Sequence, residues 1–162
     1  MLKYLKTGVV CQEIPDELSL AIAISGCTIR CKGCHSRDLW EDKGTPLTIE
    51  AVGELLKKER GVTTLLLMGG ERDIDTLTTI FMHFFKDIKT AWYCGLDMLP
   101  KDKRGILSYL DFIKLGHYDQ ELGGLDSPIT NQRLYSHNMY YSDCTALGTG
   151  WRDITHLLTK KL

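Results

Sequence analysis

A chain of 162 residues with 43% hydrophobic and 25% charged residues has the size and composition of one globular domain, which excludes collagen-like, coiled-coil and largely disordered proteins. Its net charge of −1 provides no long-range field to attract nucleic acid or an anionic membrane. The N-terminus lacks the apolar segment of a secretion signal, and no apolar run approaches the length of about eighteen residues that spans a membrane. We therefore expect a single cytoplasmic domain over residues 1–162, with neither a nucleic-acid nor a membrane partner.

The first half of the chain alternates between short apolar runs and longer amphipathic ones. Residues 20–24 and 63–68 are nearly all apolar and each run ends close to glycine, which predicts two buried strands. Between them, Thr48 precedes apolar residues at helical spacing that continue to Gly61, so we predict a helix with Thr48 as its cap. Residues 74–85 have the same spacing and predict a second helix.

The second half continues this alternation and then becomes more polar. Lys89–Tyr93 and residues 111–115 predict a third and a fourth strand, separated by a loop and a short helix at residues 100–109. A further strand is expected at Arg133–His137, followed by a short amphipathic segment after Trp151. Strands that alternate with helices pair in parallel through right-handed crossovers and bind ligands at their carboxyl ends. The predicted fold class is therefore α/β.

Three of the six cysteines lie together in the loop that follows the first predicted strand. Cys27, Cys31 and Cys34 fall within eight residues, in the pattern C-x3-C-x2-C. The other three are scattered: Cys11, Cys94 and Cys144. In a chain without an export signal, grouped cysteines favour metal binding or catalysis over disulfides. Thiolates are soft ligands that select zinc, copper(I) or iron–sulfur clusters.

The number of cysteines in the loop helps to separate these centres. Structural zinc sites usually have four Cys or His ligands, and ferredoxin clusters have four cysteines. Three thiolates on a [4Fe-4S] cubane leave one iron open to a substrate, which predicts an enzyme. His35 would instead complete a Cys3His zinc site, which stays an alternative. Arg30 and Lys32 are either counter-charges that favour the thiolate form or ordinary solvated side chains.

The cysteine spacing after a buried strand resembles that of the radical S-adenosylmethionine superfamily, and the similarity covers nearly the whole chain. This resemblance implies a small partial (β/α) barrel, open on one side, because a full barrel needs about 250 residues. Within the superfamily the chain is similar to the activating proteins of anaerobic (class III) ribonucleoside-triphosphate reductases. The segments that carry this narrower match are Ile14-Pro15-Asp16-Glu17, Ser25-Gly26-Cys27, Trp40-Glu41-Asp42, Trp92-Tyr93, Asp111-Phe112-Ile113 and Thr130-Asn131-Gln132-Arg133.

What this resemblance implies is a specific reaction. The open iron would chelate the amino and carboxylate groups of S-adenosylmethionine, and an external electron donor such as flavodoxin or ferredoxin would reduce the cluster. Reductive cleavage would give methionine and a 5′-deoxyadenosyl radical, which would take a hydrogen atom from a glycine of the reductase and leave a glycyl radical. The cofactors supply this chemistry, so no catalytic residue is expected beyond the cluster ligands Cys27, Cys31 and Cys34.

Gly69, Gly70 and Glu71, at the end of the second predicted strand, match the Gly-Gly-acid motif that engages the ammonium group of S-adenosylmethionine in this superfamily. Glycines let a backbone approach a ligand closely, and a carboxylate accepts hydrogen bonds from an ammonium. Taken alone, however, two glycines after a strand mark only a turn. Arg72 stands where the superfamily usually has proline. Asn131 is a further candidate contact to the cofactor or to the reductase.

Two other interpretations share some of these features. Another small radical S-adenosylmethionine enzyme, such as a pyruvate formate-lyase-type activase or a 7-carboxy-7-deazaguanine synthase, would have the same cysteine loop, although residues 130–133 argue against both. A zinc-binding interaction module would not be an enzyme, and the missing fourth cysteine argues against it. The five histidines show no H-E-x-x-H or triad-like grouping, so a hydrolase is not indicated.

Overall fold

A computed structural model describes residues 1–159 and contains an eight-stranded mixed sheet with two α-helices. The helices are α1 (Ile49–Lys58) and α2 (Ile74–Phe84). The strands are β1 (Lys3–Val10), β2 (Ser19–Ile24), β3 (Thr45–Pro46), β4 (Thr64–Met68), β5 (Lys89–Tyr93), β6 (Phe112–Leu115), β7 (Arg133–His137), β8 (Cys144–Thr145), β9 (Gly148–Thr149) and β10 (Trp151–Asp153). Short 3-10 helices cover Arg37–Trp40, Glu71–Asp73, Lys101–Tyr109 and Thr155–Leu157.

The centre of the sheet is parallel, as the alternation of elements predicted. The strand order is β10-β7-β6-β5-β4-β2-β1-β3, and β2, β4, β5 and β6 run parallel to their neighbours within this set. β1 pairs antiparallel with β2, and β7 pairs antiparallel with β6. β8 and β9 form a separate two-stranded ladder. The carboxyl ends of the four parallel strands therefore lie along one edge of the sheet.

The predicted elements are confirmed to within a residue at most of their ends. Thr48 caps α1 as predicted, since its hydroxyl accepts a hydrogen bond from the Ala51 amide at 3.2 Å. The helix ends at Lys58, however, three residues before Gly61. The segment after Trp151 contains only a short strand and one 3-10 turn, and its last residues, 160–162, lie outside the described part of the chain.

β1 has no counterpart among the predicted strands, and the reason lies in its side chains. The middle of β1 is exposed, so it shows neither a continuous apolar run nor a regular alternation. Its position depends on backbone pairing with β2, in a register that joins Val10 to Ser19 and Tyr4 to Ile24. Pairing between segments distant in sequence is invisible to a search for local periodicity.

The parallel strands are buried on both faces, which explains their continuous apolar runs. Leu65 and Leu67 face the larger core, where α1 and α2 pack against the sheet. Leu66 points the other way, into a smaller core that includes Ile14 and Ile154. Successive residues of one strand thus enter different cores, as the two-residue repeat of a strand requires.

The structure confirms the mixed α/β class with an open eight-stranded sheet. The narrower assignment to a partial barrel of the radical S-adenosylmethionine type stays a prediction, as does the organisation of residues 1–162 as a single domain. Within residues 1–159, no helix has the length and apolar character needed to cross a membrane.

Candidate metal centre

Both sequence motifs lie at the same edge of the sheet. The cysteine loop follows β2, and Gly69-Gly70-Glu71 follows β4, which is the parallel neighbour of β2. Since both strands present their carboxyl ends there, the fold brings together two segments that are more than thirty residues apart in sequence.

The base of the cysteine loop is closed by backbone hydrogen bonds. The Gly26 amide donates to the Glu41 carbonyl at 3.1 Å, and the Cys27 amide donates to the Leu39 carbonyl at 2.9 Å. Leu39 belongs to the 3-10 helix Arg37–Trp40, which forms the returning side of the loop. The loop therefore begins and ends on a fixed backbone frame.

The tip of the loop is a tight turn between Cys31 and Cys34. The Cys34 amide donates to the Cys31 carbonyl at 3.2 Å, and Gly33 between them has φ +75°, a conformation that favours glycine. The Ser36 amide donates to Cys34 Sγ at 3.4 Å. All three thiols of the loop, including that of Cys27, are free and half-buried.

Burial raises the pKa of the Cys31 thiol, and the neighbouring Cys34 and Cys27 raise this pKa further. A hydrogen bond from the Tyr118 backbone acts in the opposite direction and favours the thiolate of Cys31. The pKa of Cys31 rises on balance. In the metal-free chain this thiol therefore holds its proton more firmly than an ordinary cysteine, and metal binding would have to displace that proton.

The basic side chains of the loop face outward. Lys32 Nζ lies 3.8 Å from a Glu121 carboxylate oxygen, and both side chains are largely exposed. The guanidinium carbon of Arg30 lies 6.0 Å from the centre of the Trp40 ring. These contacts favour the interpretation of Arg30 and Lys32 as solvated charges rather than as direct counter-charges of the thiols.

The two glycines after β4 are required by backbone conformation. Gly69 and Gly70 both have φ +88°, and a methyl group on Gly70 would lie 3.0 Å from Ile24 Cδ1. The Trp92 indole N–H donates to the Gly69 carbonyl at 2.8 Å and holds the turn against β5. The glycines therefore shape the turn that presents Glu71.

Glu71 is fixed by one of its two carboxylate oxygens. Oε1 accepts a hydrogen bond from the Gly95 amide at 2.6 Å, at the carboxyl end of β5. This contact orients the carboxylate and leaves Oε2 as the oxygen that can accept from a ligand.

Lys114 is a buried lysine that the sequence pattern did not single out as a site residue. Its side chain belongs to β6, and Nζ donates to the Gly116 carbonyl at 2.7 Å. Burial lowers the pKa of Lys114, and the opposing influences include those of Cys94, Glu71 and Cys31. The ammonium thus stands within electrostatic range of both sequence motifs. A charged residue inside a four-residue strand that is otherwise buried was the available signal.

Asn131 lies beside Gly116, the residue whose carbonyl accepts the hydrogen bond from Lys114. It borders a cavity of about 290 Å³ together with Asp97, His117 and Arg133. Its Nδ2 donates to the His117 carbonyl at 3.0 Å. Its Oδ1 is buried, and no hydrogen-bond partner for it is found among residues 1–159. A ligand in this cavity would meet an unused acceptor at Asn131, but the described contacts do not join Asn131 to the cysteine loop or to Glu71.

The model of one protein family, described as a 4Fe-4S single cluster domain, matches residues 17–135. This range covers well over half of the chain and includes the cysteine loop and the Gly-Gly-Glu turn. The chain belongs to the 4Fe-4S single cluster domain family. Comparison with curated proteins gives no significant match. Family membership supports the prediction of a [4Fe-4S] cluster and of an iron–sulfur function.

The cysteine loop of this 4Fe-4S single cluster domain fits a cluster better than a single ion. Among residues 1–159, no three Cys, His, Asp or Glu side chains converge closely enough to hold one metal ion. His35 packs on the Tyr118 ring, with 5.4 Å between ring centres. Each iron of a cubane takes its own thiolate, so a cluster needs free thiols on one loop without close convergence, and Cys27, Cys31 and Cys34 provide them.

Cys94 and Cys11 differ from these three in their surroundings, and the side chain of Cys144 lies outside the described part of the chain. Cys94 follows β5 but is fully buried, and burial together with the nearby Glu71 carboxylate raises its pKa to about 12. It therefore stays a neutral thiol within the larger core. Cys11 is exposed on the connection between β1 and β2.

Proposed function

We propose that this 4Fe-4S single cluster domain is a radical S-adenosylmethionine enzyme that activates an anaerobic ribonucleoside-triphosphate reductase by forming a glycyl radical on it. One observation carries the proposal: a loop with three free thiols and a carboxylate turn lie at the carboxyl ends of two adjacent parallel strands. Cys27, Cys31 and Cys34 would hold three irons of a cluster. Glu71 and Lys114 stand beside the loop that would leave the fourth iron open.

When bound, a [4Fe-4S] cluster supplies the electron that cleaves S-adenosylmethionine into methionine and a 5′-deoxyadenosyl radical. The chain contributes the ligands and their surroundings. The Ser36 amide donates to the sulfur of Cys34, and the Tyr118 backbone donates to that of Cys31. Hydrogen bonds to ligand sulfurs stabilise added negative charge, so these two amides favour reduction of a cluster held by the loop.

Glu71 and Lys114 suit the two charged groups of an amino acid. Glu71 Oε2 would accept from the ammonium of the methionine moiety, while the Gly95 amide keeps the carboxylate oriented. Lys114 uses one N–H on the Gly116 carbonyl, and the other two are available for the carboxylate of the same ligand. Because Lys114 is buried, its attraction for an anion is screened little by water.

The proposal also requires two protein partners, the reductase and an external electron donor such as flavodoxin or ferredoxin. The half-buried thiols leave the cysteine loop accessible from solvent, which suits the approach of an electron donor. The reductase would present a glycine-bearing loop to the same edge of the sheet.

The test begins with anaerobic reconstitution using iron and sulfide. We expect about four irons per chain and a reduced-cluster electron paramagnetic resonance signal that changes when S-adenosylmethionine is added. Adding the co-occurring anaerobic reductase and a reductant should then produce a glycyl radical doublet.

Other results would point elsewhere. A cluster signal that S-adenosylmethionine leaves unchanged would contradict the radical enzyme. Cleavage without a glycyl radical would favour the pyruvate formate-lyase-type activase or the deazaguanine synthase. About one zinc per chain, without iron or sulfide, would establish the zinc-binding module.

A further inference from the structure

Arg72 connects the two halves of the candidate site through a two-pronged ion pair. Its Nη2 lies 2.9 Å from Asp42 Oδ1, and its Nη1 lies 3.3 Å from Asp42 Oδ2. Nη2 also donates to the Met1 carbonyl at 3.4 Å. Arg72 directly follows Glu71, whereas Asp42 lies just after the returning side of the cysteine loop. One guanidinium therefore joins the carboxylate turn to the end of the loop.

The same guanidinium also covers the beginning of the loop. A methyl group on Gly26 would lie 2.9 Å from Arg72 Cζ and 3.0 Å from its Nε, so the absence of a side chain at Gly26 makes room for Arg72. Gly26 immediately precedes Cys27 and donates its amide to the Glu41 carbonyl. Arg72 is thus in contact with both ends of the loop.

We infer that Arg72 is a positioning residue. By packing against Gly26 and pairing with Asp42, it fixes the cysteine loop relative to the Glu71 carboxylate. The consequence of this inference rests on the proposed function: the distance between the cluster and the ammonium group of S-adenosylmethionine would stay constant. A planar guanidinium contacts the two oxygens of a carboxylate through two nitrogens in a fixed geometry, which the single nitrogen of lysine cannot do. Proline at this position would stiffen the turn alone and would not reach the loop.

The ion pair contributes little to global stability, because both side chains are partly exposed: 28% for Arg72 and 44% for Asp42. Its effect is expected in local opening of the loop. The Gly26 and Cys27 amides report this opening, because each amide proton exchanges with solvent only when its hydrogen bond at the base of the loop breaks.

The experiment is amide hydrogen exchange of the full chain, without cluster and after anaerobic reconstitution. We expect Arg72→Gln to speed exchange in residues 26–42 by about tenfold and to leave the melting temperature nearly unchanged. The matched control is Lys103→Gln, which removes a partly exposed ion pair in which a single ammonium contacts both oxygens of Asp75, at 2.9 and 2.7 Å. This control should leave exchange in residues 26–42 unchanged.

Two further variants separate a paired guanidinium from a simple positive charge. Arg72→Lys should restore only part of the protection, because its single nitrogen cannot replace the two nitrogens that contact Asp42. Asp42→Arg should open the loop as Arg72→Gln does, and combining it with Arg72→Asp should recover protection by exchanging the partners. Unchanged exchange in Arg72→Gln would overturn the inference, as would full protection in Arg72→Lys.

The reconstituted protein distinguishes failure of this inference from failure of the proposed function. If both hold, Arg72→Gln should raise the KM for S-adenosylmethionine about tenfold, with a smaller change in kcat and with the iron content retained. If the unsubstituted chain never binds S-adenosylmethionine, the proposed function fails. The hydrogen-exchange results would still test whether Arg72 holds the loop in place. A lower melting temperature with unchanged KM would reduce Arg72 to a structural residue and contradict the inference.

Discussion

The two ends of the parallel strands are built in contrasting ways. At the amino ends, the buried Glu17 carboxylate accepts hydrogen bonds from Thr63 at 2.6 Å and Thr64 at 2.9 Å and pairs with Lys89. At the carboxyl ends, Lys114 is equally buried but has a single backbone partner among the described hydrogen bonds, and Gly70 adopts a left-handed conformation. At the amino ends, the buried carboxylate is paired within the chain. At the carboxyl ends, the buried lysine retains hydrogen-bond donors without a described partner.

This difference indicates how the fold divides stability from chemistry. A buried charge whose partners are internal stabilises the native state and has nothing left to offer a ligand. A buried charge with spare donors destabilises the free protein and is compensated when a ligand arrives. The predictions below change residues at one end or the other and compare the effects on cluster binding, ligand binding and stability.

The largest effect is expected at the cysteine loop. Cys31→Ser should reduce the iron bound after anaerobic reconstitution from about four per chain to a small fraction of that, because a cluster held by two thiolates is not retained. Cys11→Ser, which replaces an exposed cysteine, should retain the full iron content. Iron and sulfide analysis gives both values, and equal iron in the two variants would remove Cys31 from the ligand set.

Replacing one lysine at each end of the parallel strands tests the comparison directly. Under the proposed function, Lys114→Met should weaken S-adenosylmethionine binding by about ten- to a hundredfold, since a hydrogen bond between charged groups contributes about 1.5–3 kcal/mol. The stability of the cluster-free variant in urea should stay the same or rise, because a buried ammonium is removed. Lys89→Met should show the opposite pattern, with lower stability and unchanged affinity. Parallel losses in both variants would erase the distinction between the two ends.

The left-handed turn should respond to a single methyl group. Gly70→Ala is expected to lower the free energy of unfolding by about 1–3 kcal/mol, because it combines positive φ with contacts of 3.0 Å to Ile24 and 3.1 Å to Leu77. Gly53→Ala, in open space on α1, should instead stabilise by about 0.5–1 kcal/mol. Urea denaturation measures both, and equal stability changes would show that the turn is not strained by a side chain.

The smallest effect concerns pH and the amino ends. Burial acts to raise the pKa of Glu17, but hydrogen bonds from Lys89, Thr63 and Thr64 hold it below its ordinary value. Its contribution to stability is therefore complete above about pH 5 and is lost as the pH falls through the lowered pKa of the folded state. Glu17→Gln should cost about 1–2 kcal/mol at neutral pH.

Urea midpoints at pH 7 and pH 4 provide the measurement for Glu17→Gln. The variant should lose less stability than the unsubstituted chain over this interval, because glutamine does not titrate. An identical loss in the two proteins would mean that Glu17 carries none of the acid sensitivity.

Much of this architecture follows from the sequence, because its parallel strands are short and apolar. Leu65, Leu66 and Leu67 enter two different cores, so their run identifies a strand without any partner being known. The cysteine loop and the glycines were equally visible, because their spacing is local. Contacts such as Arg72 with Asp42 escaped prediction, since they join exposed charges thirty residues apart. Lys114 was visible as a charge in a buried strand, but its neighbours at the site depend on the order of the strands.

The two outermost strands of the sheet are also among its shortest. β3 is two residues long and includes Pro46, which has no amide proton to donate, and β10 has only three residues. Long unpaired edges invite strands from other molecules, and short edges or proline discourage this. At high concentration, these two strands should therefore resist edge-to-edge aggregation, whereas β1 beyond Tyr4 has no strand on its outer side within residues 1–159 and stays open to such pairing. Extension of the sheet by another chain would therefore begin at the outer side of β1 rather than at β3 or β10.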